Sequence, residues 1–180
     1  MWLNIERLDE FTVFYQWCCE GNTKLIKKLK KLCNNLVQVE IIITPKGQIQ
    51  LTHFKNVVTR LAAEESDLKD DEFFSLFMGL GAVTLYKALN ELASSMPVNT
   101  IVSVYALGYF HGKPQEKLEL YYKSLGFNRS QEVSADDRYS SDETGVTMKS
   151  TLGEVLRVLH DKVAKHPLYL KSEFYTSKVT

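Results

Sequence analysis

"GLGAVTLYKALNELASSMPVNTIVSVYALGYFHGKPQEKLELYYKSLGF", Gly79 to Phe127, changes its apolar period twice, and those changes decide the fold. Leu85, Ala88, Leu89 and Leu92 recur at three- and four-residue steps, the spacing of one helical stripe. Pro97 is expected to end that helix, because it lacks the N–H that would continue the ladder. "TIVSVYAL" is then a nearly continuous apolar run, as in a strand covered on both faces. Past Gly112 and Pro114 the period returns to that of a helix from about Gln115 to Leu125, with Gly126 as its stop. Helix, strand and helix therefore follow one another within a single unit.

Upstream, "LVQVEIIIT", the turn Thr44-Pro45-Lys46-Gly47 and "QIQLTHF" predict a β-hairpin. "NVVTRLAA" reads as a third strand or as a helix, and the acidic "EESDLKDDE" as a surface loop. Residues 14–36 carry Leu25, Ile26, Leu29, Leu32, Cys33 and Leu36 at helical spacing. Lys24, Lys27, Lys28, Lys30 and Lys31 stand between them. This predicts an amphipathic helix whose basic face is either solvated or a docking surface for an acidic protein partner. Downstream, "GVTMKSTL" predicts a late strand, and Leu156, Val158, Leu159 and Val163 a closing helix. Hairpin, strand, helix, strand, helix, strand is the order of an α/β or α+β sheet with helices packed on it.

A chain of 180 residues is long enough for one domain with a substantial core and short for two. The expected division is a single domain over 1–180: an N-terminal helical region at 1–38, a core at 39–152, and a C-terminal helix and tail at 153–180. With 44% hydrophobic and 24% charged residues the composition is that of a soluble protein. The 22 basic residues balance 22 acidic ones, which gives no general attraction to nucleic acid or to an anionic membrane. Cys18, Cys19 and Cys33 form neither a disulfide framework nor a zinc pattern, and reduced thiols fit a cytoplasmic protein. The acidic N-terminus does not read as a signal peptide. No run approaches the ~18 apolar residues of a membrane span.

The chemistry-bearing patterns are few. His53, His111, His160 and His166 lie in separate segments or at spacings that do not pair as ligands, so no metal is expected. There is no GxSxG elbow, no Gly-Lys-Ser/Thr after the glycines, and no third glycine of a dinucleotide fingerprint. What remains is "MGLGAVT", which puts Gly79 and Gly81 at the head of a helix. There the unbonded N–H groups and the helix dipole favour an anion such as a diphosphate; the plainer role is a loop needing positive φ.

The glycine loop, helix, buried strand, helix, "LYYKSLGF" and "VTMKSTL" together resemble the GNAT superfamily of acetyl-CoA-dependent N-acetyltransferases. The likeness spans about Val39 to Leu152 and is strongest from Gly79 to Phe127. It implies a mixed, mostly antiparallel central sheet with helices on both faces, and acetyl-CoA as cosubstrate without a metal. In the family a Q/R-x-x-G-x-G/A loop opens the helix under the CoA diphosphate. That implies Gly79, Leu80, Gly81, Ala82, Val83 and Thr84 as the CoA-binding stretch, with Gln115 at a position where the family commonly has asparagine. The loop-head Gln or Arg falls on Leu76 or Phe77, and neither is polar. The family's F-Y-x-x-x-G-F ending implies Tyr122 as the general acid that protonates the departing thiolate. Tyr122 as an amphipathic core residue is the alternative, and Tyr121 reads as packing. Glu64 and Glu65 are candidates for the base by location only. The acceptor would be an amine: a small molecule, a polyamine or a lysine-rich peptide. A non-catalytic module that keeps the fold and binds a protein is the rival reading, and an unrelated interaction domain a third.

Overall fold

The structure is a computed structural model that describes residues 2–7, 12–18, 37–56, 79–107, 109–110, 113–130, 145–166 and 178–179. Its centre is an eight-stranded sheet in the order β10-β1-β2-β3-β4-β5-β9-β8. The strands are β1 (Trp2–Arg7), β2 (Thr12–Cys18), β3 (Val37–Ile43), β4 (Ile49–Asn56), β5 (Ile101–Leu107), β8 (Asn128–Arg129), β9 (Gly145–Thr151) and β10 (Lys178–Val179). A separate two-stranded piece joins β6 (Tyr109–Phe110) to β7 (Lys113–Pro114). Three helices are described: α1 (Leu80–Leu92), α2 (Gln115–Lys123) and α3 (Leu152–Val163). All pairings are antiparallel except β4 with β5 and β1 with β10. The mixed, mostly antiparallel sheet is therefore as expected.

The β3–β4 hairpin closes through the turn anticipated around Pro45. Gly47 takes φ 69°, its N–H donates to the Thr44 carbonyl at 2.8 Å, and the Gln48 N–H donates to Thr44 Oγ1 at 3.1 Å. The registers of β3, β4, β5 and β9 put Val39, Ile41, Leu51, Val104 and Met148 on one face, and all are buried. They share one buried cluster with Leu80, Val83, Leu85 and Leu89 of α1, Val155 and Leu159 of α3, and Leu125 and Phe127 at the end of α2. Burying side chains of this size contributes about 1.5–3 kcal/mol each before conformational entropy is counted. The amphipathic helix expected over residues 14–36 lies, past Cys18, outside the described residues.

Two expectations change, and a third lies almost wholly outside the described residues. The N-terminal region is not helical throughout: Thr12–Cys18 is a strand, hairpinned to Trp2–Arg7 and paired with β3, although the helix was expected from residue 14. "TVFYQWC" is dense in β-branched and aromatic residues, which suit a pleated surface, and the helical period begins only downstream of it. Second, α1 stops at Leu92, before Pro97. Ser94 and Ser95 donate their hydroxyls to the Glu91 and Leu92 carbonyls at 2.7 and 3.2 Å, satisfying the last turn without the proline. Third, "NVVTRLAA" begins with the last residue of β4, and its remainder, like the acidic stretch, lies outside the described residues.

Candidate functional site

β4 and β5 are parallel and joined through α1, yet they pair at only three positions: Ile49 with Val102, Gln50 with Ser103, and Leu51 with Val104. Ser103 Oγ ties the paired part by donating to the Ile49 carbonyl at 3.4 Å. Beyond it the strands part. β4 stays paired with β3 as far as Asn56, and β5 stays paired with β9 as far as Leu107, so the sheet opens between them toward their C-terminal ends. The departure coincides with a bulge. Glu40 opposes His53 and Ile41 opposes Leu51, leaving Thr52 as the extra residue of β4. Thr52 Oγ1 is buried and has no hydrogen-bond partner among the described residues.

The head of α1 follows from β4. Gly79 sits at the N-cap with φ 80°, a left-handed conformation that suits glycine, and no side chain caps the helix. The Val83 N–H makes the first intrahelical bond, to the Gly79 carbonyl at 3.1 Å, so the N–H groups of Leu80, Gly81 and Ala82 precede the ladder. Leu80, Gly81, Val83 and Thr84 are buried, and Ala82 is half-buried. Thr84 Oγ1 donates to the Leu80 carbonyl at 2.7 Å, which commits its hydroxyl inside the helix. What this stretch offers a ligand is therefore backbone. The sequence reading missed His166 here: a Cβ on Gly79 would lie 3.2 Å from its imidazole. Nothing in the linear order links a residue past α3 to the head of α1.

The end of α2 answers why paired phenols precede Gly126. Gly126 takes φ 92°. Its N–H donates to the Lys123 carbonyl at 3.0 Å, and the Phe127 N–H reaches back to the Tyr122 carbonyl at 3.1 Å, the two bonds of a Schellman cap. That motif is accompanied by an apolar contact between the residue after the glycine and the one five before it. Here the rings of Phe127 and Tyr122 meet edge-on at 6.1 Å. Tyr122 is 8% exposed within the core, whereas Tyr121 is 38% exposed and stacks on Phe54 of β4 at 6.0 Å. The two phenol rings are themselves 5.5 Å apart. Burial raises the Tyr121 phenol well above its ordinary value, and the neighbouring Tyr122 adds to the effect.

Gln115 opens α2. Leu76, Phe77, Glu64, Glu65 and the lysine-rich segment lie outside the described residues. Among the described residues there is no group of three or more His, Cys, Asp or Glu able to hold a metal, and no helix long and apolar enough to cross a membrane.

Fold and site together define an α+β protein with an opened βαβ unit, an uncapped helix head after its first strand and a phenol pair at the end of the helix after its second. No protein-family model matches the chain, and no curated protein does. Among solved structures, the chain is similar to a protein from Desulfovibrio desulfuricans, provisionally described as an acetyltransferase of the GNAT family. The superposition covers 79% of this chain and 69% of that one, with 12% identity and a TM-score of 0.46.

Proposed function

We propose that this protein is a GNAT-like N-acyltransferase that moves an acetyl group from acetyl-CoA to an amine. The observation that carries the reading is the opening of β4 from β5 after three paired positions, in the βαβ unit whose helix begins without a side-chain cap. In a parallel βαβ unit, a ligand binds beyond the carboxyl ends of the strands, where the helix head also lies. The N–H groups of Leu80, Gly81 and Ala82 would receive the diphosphate, aided by the helix dipole. Past Leu51 and Val104 the two strands no longer pair with each other, and an extended chain carrying amides would enter between them. The donor supplies a thioester. The protein's part is to hold it, exclude water and provide a proton for the departing sulfur from the phenol pair, at Tyr122 by the family's signature.

Calorimetry of CoA and acetyl-CoA on the wild type and on Ala82→Glu tests this. A carboxylate in the first turn of α1 favours the helix dipole, which offsets part of the cost of placing it at half-buried Ala82, so the variant should still fold, as its melting curve would show. The variant should also lose about tenfold or more in CoA affinity, which is ~1.4 kcal/mol, through repulsion of the diphosphate. Wild-type protein that binds neither nucleotide would end the proposal.

A non-catalytic module that binds another protein is the second reading. The exposed Leu120 and Tyr121, adjacent on α2, favour it.

A further inference from the structure

The central sheet is apolar on one face and polar on the other. Strand alternation and the registers put Glu40 of β3, Gln50 and Thr52 of β4, and Ser103 and Tyr105 of β5 on the face opposite Val39, Leu51 and Val104. All five are half-buried. Glu40 is the one carboxylate that β3, β4, β5 and β9 carry.

Glu40 and Thr52 meet across the bulge. Two residues of β4 stand against Glu40 there, and Thr52 is the extra one. Cross-strand neighbours on one face have Cβ atoms about 5 Å apart. Neither side chain is paired. Among the described residues Glu40 makes no ion pair or side-chain hydrogen bond, and Thr52 Oγ1 is shut off from solvent without a partner. Polar groups buried without partners are uncommon in native proteins and usually mark the place of a bound ligand or water. A group that suits both must donate to a carboxylate and to a hydroxyl oxygen, and must carry a positive charge to offset the removal of the carboxylate from water. An ammonium, all donors and no acceptor, meets both conditions.

The Glu40–Thr52 pair spans β3 and β4, one strand over from the gap between β4 and β5 in which the acyl-transfer reading places the thioester. Neighbouring strands lie ~4.8 Å apart. A nitrogen held at Glu40 and a nitrogen in the gap are therefore separated by about one strand spacing, the reach of a chain of roughly three or four carbons.

Resting on that reading, we propose that Glu40 and Thr52 bind a non-reacting ammonium of the acceptor, and that the acceptor is a diamine or polyamine whose next nitrogen enters the gap and is acylated. A monoamine of the same length leaves both groups unpaired, so charge selects the acceptor at a point that the reaction does not touch. The transfer needs no further reactant. The amine nitrogen bonds to the thioester carbonyl carbon, the C–S bond breaks with its electron pair going to sulfur, and the proton shed by the nitrogen is balanced by the one that sulfur gains.

Putrescine, a four-carbon diamine, and butylamine, the same chain with one nitrogen, are titrated by calorimetry into wild type, Glu40→Gln and Thr52→Val without nucleotide; CoA is titrated separately into wild type. Wild type should bind putrescine at least about tenfold more tightly than butylamine, which is ~1.4 kcal/mol. Glu40→Gln should erase that preference, and Thr52→Val should weaken putrescine binding by about threefold or more. Because Thr52→Val keeps the shape and removes an unpaired buried hydroxyl, it should melt no lower than wild type while binding the diamine less well, a combination that a purely structural threonine would not give. Equal affinity of wild type for the two amines, which requires no variant to fold, overturns the ammonium site, as does a preference that survives in Glu40→Gln. Wild type that binds CoA but shows no preference for the diamine ends this assignment and leaves acyl transfer standing. A Glu40-dependent preference in a protein that binds no CoA upholds the ammonium site and ends the acyl-transfer reading, and the acceptor role with it.

Discussion

Two glycines show how a single residue's freedom can be spent. Gly47 and Gly126 both sit in the left-handed region, but a Cβ on Gly47 meets nothing within 4 Å, while one on Gly126 comes within 3.3 Å of Val158 Cγ2. Ala at Gly47 should therefore cost only the strain of the conformation, about 1 kcal/mol. At Gly126 the same strain is joined by a contact with α3 and by disturbance of the Schellman cap, and ~2 kcal/mol or more is expected. Urea unfolding of the two variants checks the order; equal losses would mean that the α2–α3 contact yields freely. Tyr122→Ala should cost more than either, about 3 kcal/mol, by removing an aromatic ring from the core. "YYKSLGF" announced the helix stop in advance, because glycine before an apolar residue has a backbone reason. It did not announce which tyrosine turns inward, because that depends on where Phe54 stands.

Among elements, α1 and α3 begin in opposite ways. Thr151 caps α3 by accepting the Glu154 N–H at 3.3 Å, and Glu154 in turn binds Arg157 at 2.8 and 3.0 Å. Thr151→Ala should lower stability by about 1 kcal/mol, read from a denaturation midpoint with unchanged slope. The hydrogen bond from Arg157, reinforced by its charge, holds the Glu154 carboxyl below its ordinary value. A depressed carboxyl contributes stability above its unfolded pKa and loses it as pH falls through the folded one. Wild type should therefore lose a small increment between pH ~6 and ~3 that Glu154→Gln does not lose. Identical pH profiles for the melting temperatures of the two proteins would show the pair to be inert. The bare head of α1, by contrast, has no side-chain cap among the described residues, which is why the Ala82→Glu test is informative. Gly81 is a worse probe, since it is buried and a glutamate there would place a charge in the core.

At the scale of the molecule, the opened βαβ unit was half legible. The helix, strand and helix of Gly79 to Phe127 could be read from period alone, as could the β3–β4 hairpin from its turn. The parting of β4 from β5 could not, because it falls at a bulge at Thr52 that only the partner strand's register reveals. The N-terminal hairpin was hidden by the stronger helical pattern beginning at Leu25. If the opening takes an extended donor chain, backbone amides of β4 past Leu51 and of β5 past Val104 that face it should exchange quickly in the free protein. They should become protected when CoA is added. Hydrogen exchange read by mass spectrometry, with amides in the closed β5–β9 ladder as the internal reference, tests this; unchanged exchange in a CoA-bound sample would place the ligand elsewhere.

The pairing of β10 with β1 has a consequence for the order in which the chain matures. Lys178 and Val179 lie beside Asn4 and Ile5, so one flank of β1 is closed by a strand that is made long after it. Until β10 is made, that flank of β1 keeps a row of unbonded backbone groups, the template on which another nascent chain can add a strand. Ending the chain after His166 should therefore leave the βαβ unit's own contacts intact and yet raise the fraction of product recovered as aggregate, increasingly so at higher expression rates.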